Sequence, residues 1–144
     1  MTFPAAPLQK AVYSTLRDDA AVVAALNGEA RIYDRVPPQA SPAGAKSGAA
    51  FPYVTIGDDQ VVDDSTDCGD AYELFVTVHI WSRDVGKVAS KLLASAIRAA
   101  LDVPLAIDGF VVVVHEFNDA RFFREPDGLT EHGVLTFRYL VDPN

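Results

Sequence analysis

The stretch Tyr72-Glu73-Leu74-Phe75-Val76-Thr77-Val78-His79-Ile80-Trp81 decides the fold. Its side chains alternate, with Tyr72, Leu74, Val76, Val78 and Ile80 on one side and Glu73, Phe75, Thr77, His79 and Trp81 on the other. A period of two is the signature of a strand with one face on a core. The second face is only partly polar, which implies that something covers it. Ser82 can then cap a helix, with Asp84 in its first turn favoured by the helix dipole. Val85, Val88, Ala89, Leu92, Leu93, Ala96, Ile97, Ala100 and Leu101 recur at helical spacing, and Pro104 ends the run.

Downstream, Val103–Ile107 and Phe110–Val114 flank Asp108-Gly109, a pair that accepts the positive φ angles of a tight hairpin turn. The second of these strands is predicted to continue, with a bulge near Asn118-Asp119, to Arg124. Glu125-Pro126-Asp127-Gly128 reads as another turn. Leu129–Val141 returns as a strand with Leu135, Phe137, Tyr139 and Val141 on one face.

Upstream, Leu8, Val12 and Leu16 predict an amphipathic helix over Ala5–Arg17. Asp18 or Asp19 can cap a second, Ala20–Leu26, that stops at Asn27-Gly28. Arg31–Val36 and Phe51–Gly57 are strand candidates. Gln39–Ala50, rich in Ala, Ser, Gly and Pro, reads as a mobile loop. Asp58–Asp70 holds six aspartates and reads as a second one, a solvated loop or hairpin tip. The sum is a single α+β domain over residues 1–144: two or three helices packed on a largely antiparallel mixed sheet. Leu16, Val76, Val78, Ile80, Leu92, Ile97, Val112, Leu135 and Phe137 are the predicted core.

Composition bounds the function. A chain of 144 residues with 49% hydrophobic and 22% charged residues suits one globular core. Twelve cations against twenty carboxylates give a net charge of −8, which disfavours nucleic-acid binding across the whole surface. One cysteine excludes an internal disulfide framework and fits a reducing compartment. The N-terminus does not read as a signal peptide, and apolar runs such as Phe110–Val114 are far too short to span a bilayer.

No catalytic constellation stands out. His79, His115 and His132 all fall in strands, without the helical spacing of metal-binding pairs. The aspartates around Cys68 disfavour its thiolate. There is no nucleophile elbow and no phosphate-binding loop. Read from Asp63 as a calcium loop, the required glycine is Cys68 and the required glutamate is Leu74, so an EF-hand is excluded and a solvated loop is preferred to an irregular calcium site. No cofactor is expected. What remains are surfaces. Trp81-Ser82-Arg83-Asp84 reads either as a cap with an aromatic packed beneath the helix or as an interface. Arg121-Phe122-Phe123-Arg124 reads either as a contact patch or as the half-buried face of a long hairpin.

Three stretches together resemble the phage tail terminator, or tail-completion, family of long-tailed phages and gene transfer agents. They are Phe51-Pro52-Tyr53-Val54-Thr55-Ile56-Gly57, then His79-Ile80-Trp81-Ser82-Arg83-Asp84 with the helix after it, and the final hairpin Arg124…Asp127-Gly128…His132-Gly133-Val134. Ile32-Tyr33-Asp34 and Val36-Pro37 are similar as well. The resemblance implies a non-enzymatic protein, made in the bacterial cytoplasm and built into the virion. It implies a ring of copies, usually six, that caps the tail tube protein and meets the head-side neck and connector proteins. DNA passes through such a lumen without specific binding, which a negative surface favours. Head-completion adaptors or stoppers of the neck, and small ligand-binding α+β proteins, are the alternatives. On this reading the Gln39–Ala50 loop and the Asp58–Asp70 loop, with Asp58, Asp59, Asp63, Asp64 and Asp67, supply axial or lumen surface. Trp81, Arg83, Arg121, Phe122 and Arg124 then lie near contacts between subunits.

Overall fold

The computed structural model describes residues 3–34 and 51–144. Helix α1 (Ala5–Arg17) and helix α2 (Ala20–Ala25) come first. Strands β1 (Ile32–Tyr33), β2 (Tyr53–Asp63) and β3 (Tyr72–Ser82) follow, then α3 (Val88–Leu101), β4 (Phe110–Arg124) and β5 (Glu131–Pro143). The strands form one sheet in the order β1-β2-β3-β5-β4. Only β1–β2 is parallel; the other pairs are antiparallel. This is the mixed, largely antiparallel α+β architecture that the strand and helix periods imply, with three helices on the sheet.

The helices share one face of the sheet, and the core lies between. Leu74, Val76, Val78 and Ile80 of β3 and Leu135, Phe137, Tyr139 and Val141 of β5 are buried there. They meet Leu8, Val12 and Leu16 of α1, Val22 of α2, and Leu93 and Ile97 of α3. Asp19 caps α2 by accepting from the Val22 N–H at 3.0 Å. Buried deepest by size is Tyr139, whose hydroxyl donates to the Leu101 carbonyl at 3.4 Å. No helix among the described residues is long and apolar enough to cross a membrane.

Several sequence expectations are corrected. β2 does not end at Gly57: after a register shift between Ile56 and Asp59 it pairs on to Asp63, opposite Tyr72. The acidic stretch is therefore half strand, and its turn is short, closed by Asp64 N–H to the Ala71 carbonyl at 2.8 Å and a Thr66–Gly69 bridge. Asp58 and Asp63 are tolerated in this strand because it lies at the sheet's rim, where their carboxylates reach water. Val103–Ile107 is not a strand. It drops Leu105 and Ile107 into the core as irregular chain and turns at Asp108-Gly109, where Gly109 has φ 85°. The third helix starts at Val88, not at Ser82, whose hydroxyl instead accepts from the Asp84 N–H. Val85, Val88 and Leu92 are exposed, and Val112 is only partly buried. The apolar stripe of α3 is wider than the face that the sheet can cover, so Leu93, not Leu92, takes the core position. The last strand begins at Glu131, because Asp127 holds Leu129 and Thr130 in the turn. In the first strand region only Ile32–Tyr33 pairs; the Gln39–Ala50 segment lies outside the described residues.

Candidate functional site

Alternation along β3 places Trp81 on the sheet face away from the helices, while Ser82 turns inward. The indole is therefore not packed beneath α3. It stacks on His132 of β5, ring centroids 3.8 Å apart at 17°, and its Nε1–H donates to Thr55 Oγ1 at 3.0 Å. Tyr53 continues the stack at 6.2 Å and Phe123 of β4 leans on His132 at 4.7 Å. His132 Nδ1 lies 2.6 Å from Glu125 Oε1, and His132 Nε2 lies 2.8 Å from His79 Nδ1. A carboxylate only accepts, so His132 carries its proton on Nδ1. Burial pushes both histidines below their ordinary pKa.

Behind this pile, ion pairs brace the strand ends. Arg83 lies over the Phe51 ring, donates to Thr130 Oγ1 at 3.2 Å and faces Asp127 Oδ2 at 3.7 Å. Glu131 is buried, and Arg124 and Lys87 each hold one of its oxygens, at 2.8 and 3.2 Å. The Arg124 hydrogen bond foremost keeps the Glu131 carboxyl below its usual pKa. Arg83 and Arg124 are thus committed within the chain. Phe122 covers Gly133 of β5, its ring under the Lys91 ammonium at 5.8 Å.

Asp63, Asp64 and Asp67 gather at the opposite end of the sheet, where β2 turns into β3. Asp58 and Asp59 lie along the β2 edge. Asp59 Oδ1 is buried without a hydrogen-bond partner, and burial, then Asp58 and Asp34, raises the carboxyl's pKa. The residues singled out from sequence therefore form three groups, one at each end of the sheet and Asp58 with Asp59 along the β2 edge between them. The His79–His132–Glu125 chain was not singled out. His79 and His132 are 53 residues apart and only the β3–β5 register joins them, while Glu125 comes from the turn that precedes β5. Among the described residues no three His, Cys, Asp or Glu side chains are arranged to hold a metal ion.

Comparison with known proteins places this fold. The family described as Tail completion protein gp17 matches residues 10–142. The Tail completion protein gp17 of Bacillus phage SPP1 is 26% identical over 94 residues, which span 65% of this chain and 70% of that protein. A chain in the virion of a native gene transfer agent particle superposes with a TM-score of 0.83 at 30% identity, covering 99% of both chains. The solved structure of SPP1 gp17 shares the fold, with a TM-score of 0.57 at 22% identity over 95% of this chain and 88% of that one. The chain belongs to the tail completion protein gp17 family, a structural family rather than an enzymatic one.

Proposed function

We propose that this protein completes the tail of a phage-like particle. Copies close into a ring, six in the simplest case, that caps the tail tube and offers its other side to the head-side neck proteins. The observation that carries the reading is the near end-to-end likeness to a chain of the gene transfer agent virion. The structure supports it physically: a sheet whose described strands end in two unpaired edges suits the head-to-tail contacts from which rings are built. The acidic turn around Asp63, Asp64 and Asp67 provides axial or lumen surface, where negative charge leaves passing DNA nothing to grip. Trp81 and Arg83 brace the strand ends near the contacts between copies, with Arg121, Phe122 and Arg124 on β4, across β5 from them.

Electron microscopy of particles from a strain lacking the gene tests this. Overlong, headless tails are the expected result. Empty or leaking heads on tails of normal length move the protein to the head side, as an adaptor or stopper. Intact particles of normal length refute both.

A further inference from the structure

Among the described residues the unpaired cations gather at one edge of the sheet, and three of the unpaired carboxylates gather at the other. Among the described residues, three cations have no carboxylate within ion-pair distance: Lys91, Arg98 and Arg121. All three are exposed and lie at the β4 edge. Arg121 is on the strand itself, and Arg98 and Lys91 reach over its Phe117 and Phe122 rings at 5.0 and 5.8 Å. At the far edge Asp34, Asp58 and Asp59 crowd one another with no cation of the described residues within ion-pair distance, and Asp59 leaves a buried oxygen unpartnered.

The two sets also lie at the same height. Asp59 pairs with Val76, Val76 with Phe137, and Phe137 with Phe117, which carries Arg98. Tyr33, one residue before Asp34, is level with Thr55, His79, Val134 and then Arg121. Among the described residues both edges lack a further strand: β1 covers β2 only at Val54 and Thr55, and β4 has β5 on one side alone. β4 is long and exposes Val111, Val113 and Phe123, a combination that edge strands otherwise avoid. A groove of about 340 Å³ beside it is floored by Phe117, Ala120, Phe122 and Leu135. Asp119 is the one carboxylate of this stretch of β4 without a cationic partner, and it is exposed.

We propose that the Asp34–Asp58–Asp59 edge of one copy receives the Arg98–Arg121 edge of the next. This rests on the ring reading and names its contact. Because β2 and β4 run antiparallel to each other within the chain, a rotation about an axis along the strands brings β4 of one copy antiparallel to β1 and β2 of its neighbour. The contact is heterologous, so it propagates until it closes. It also satisfies the orphaned Asp59 oxygen with a guanidinium, the donor that best fits a carboxylate.

Charge exchange tests it. One variant carries Arg98→Glu and Arg121→Glu; the other carries Asp34→Lys and Asp58→Lys, leaving the partly buried Asp59 in place. Each is measured alone and in equimolar mixture by light scattering at low salt and about 1 mM protein, where charge contacts are least screened. Wild type is expected to reach several times the 15.5 kDa monomer mass. Each variant alone is expected to stay monomeric, and the mixture to recover the wild-type mass with the two variants alternating. Arg121→Ala, which adds no repulsion, is expected to weaken association at least tenfold with an unchanged melting curve. Failure of the mixture to associate while wild type does overturns this contact and leaves the ring standing. A monomeric wild type overturns the contact as well. Normal particles from the deletion strain count against tail completion, whichever way the mixing experiment falls.

Discussion

His132 lies between the Trp81 indole, 3.8 Å away centre to centre, and the Glu125 carboxylate, 2.6 Å from its Nδ1. One imidazole thus joins β3, β5 and the turn after β4, on the sheet face that no helix covers. That face is held by aromatic stacking and hydrogen bonds where the other is held by a core.

Trp81→Ala removes the stack and leaves Thr55 Oγ1 without its indole donor. Full truncation of a buried Trp costs about 3–5 kcal/mol, and a half-buried one less, so about 2–3 kcal/mol is expected in urea unfolding. Trp81→Phe keeps an aromatic face on His132 and loses only the hydrogen bond, about 1 kcal/mol. Equal losses for the two variants would show that the stack contributes nothing.

Stability depends on pH through the same cluster. His79 and His132 titrate below their ordinary value in the folded chain, chiefly because burial disfavours the charged ring. The coulombic field of Arg121 acts in the same direction on both, while Glu125 opposes it at His132 and Asp58 at His79. The unfolded chain therefore binds more protons once the pH falls below about 6.5. The stabilisation is fully present above that value and is lost as the pH drops through it, at no more than about 1.4 kcal/mol per pH unit per histidine. His79→Gln is expected to flatten this slope between pH 7 and 5. A wild-type unfolding free energy that stays level or rises over that interval contradicts the account. Asp127 and Glu131, held below their usual pKa by hydrogen bonds from the Thr130 backbone and from Arg124 respectively, add a separate loss at lower pH.

Gly133 sits where Phe122 crosses β5. A Cβ there would lie 3.1 Å from Phe122 Cε1 and 3.4 Å from Ile80 Cβ. Its backbone is not in the left-handed region, so the constraint is space alone. Gly133→Ala is expected to cost about 1–2 kcal/mol by displacing the ring. Combining it with Phe122→Leu is expected to cost less than the two single changes added, since the smaller side chain vacates the site. Strict additivity in thermal unfolding would exclude this clash.

How much of this was legible beforehand follows from which patterns are local. Both long helices, β3, β5 and the bulge near Asn118 were readable because alternation or helical spacing runs unbroken through them. The far half of β2 was hidden: Asp58, Asp59 and Asp63 look like loop residues, and only Val61 and Val62 between them signalled a paired strand. Leu92 and Leu93 could not be told apart because α3 carries apolar residues on more of its circumference than the sheet buries. The gathering of unpaired cations at the β4 edge was invisible for a different reason. Which cations are spent in ion pairs, and which edge each strand occupies, are properties of register and sheet order.

The acidic turn offers a change that separates folding from assembly. Its shape is carried by the Asp64–Ala71 and Thr66–Gly69 backbone hydrogen bonds and by the Ser65 and Thr66 hydroxyls, and its carboxylates stand in solvent. Asp63 contributes one exposed hydrogen bond, accepting from the Ser65 N–H at 3.1 Å. Asp63→Lys with Asp64→Lys is therefore expected to move the unfolding free energy by no more than about 0.5–1 kcal/mol. If this turn is axial or lumen surface, the reversed charges meet the tube or the passing DNA with the wrong sign. Complementation of the deletion strain with this variant is then expected to yield soluble, folded protein but at least tenfold fewer joined particles by electron microscopy. Wild-type numbers of joined particles would remove the turn from the working surface, while the edge contact through Asp34, Asp58 and Asp59 would be untouched by that result.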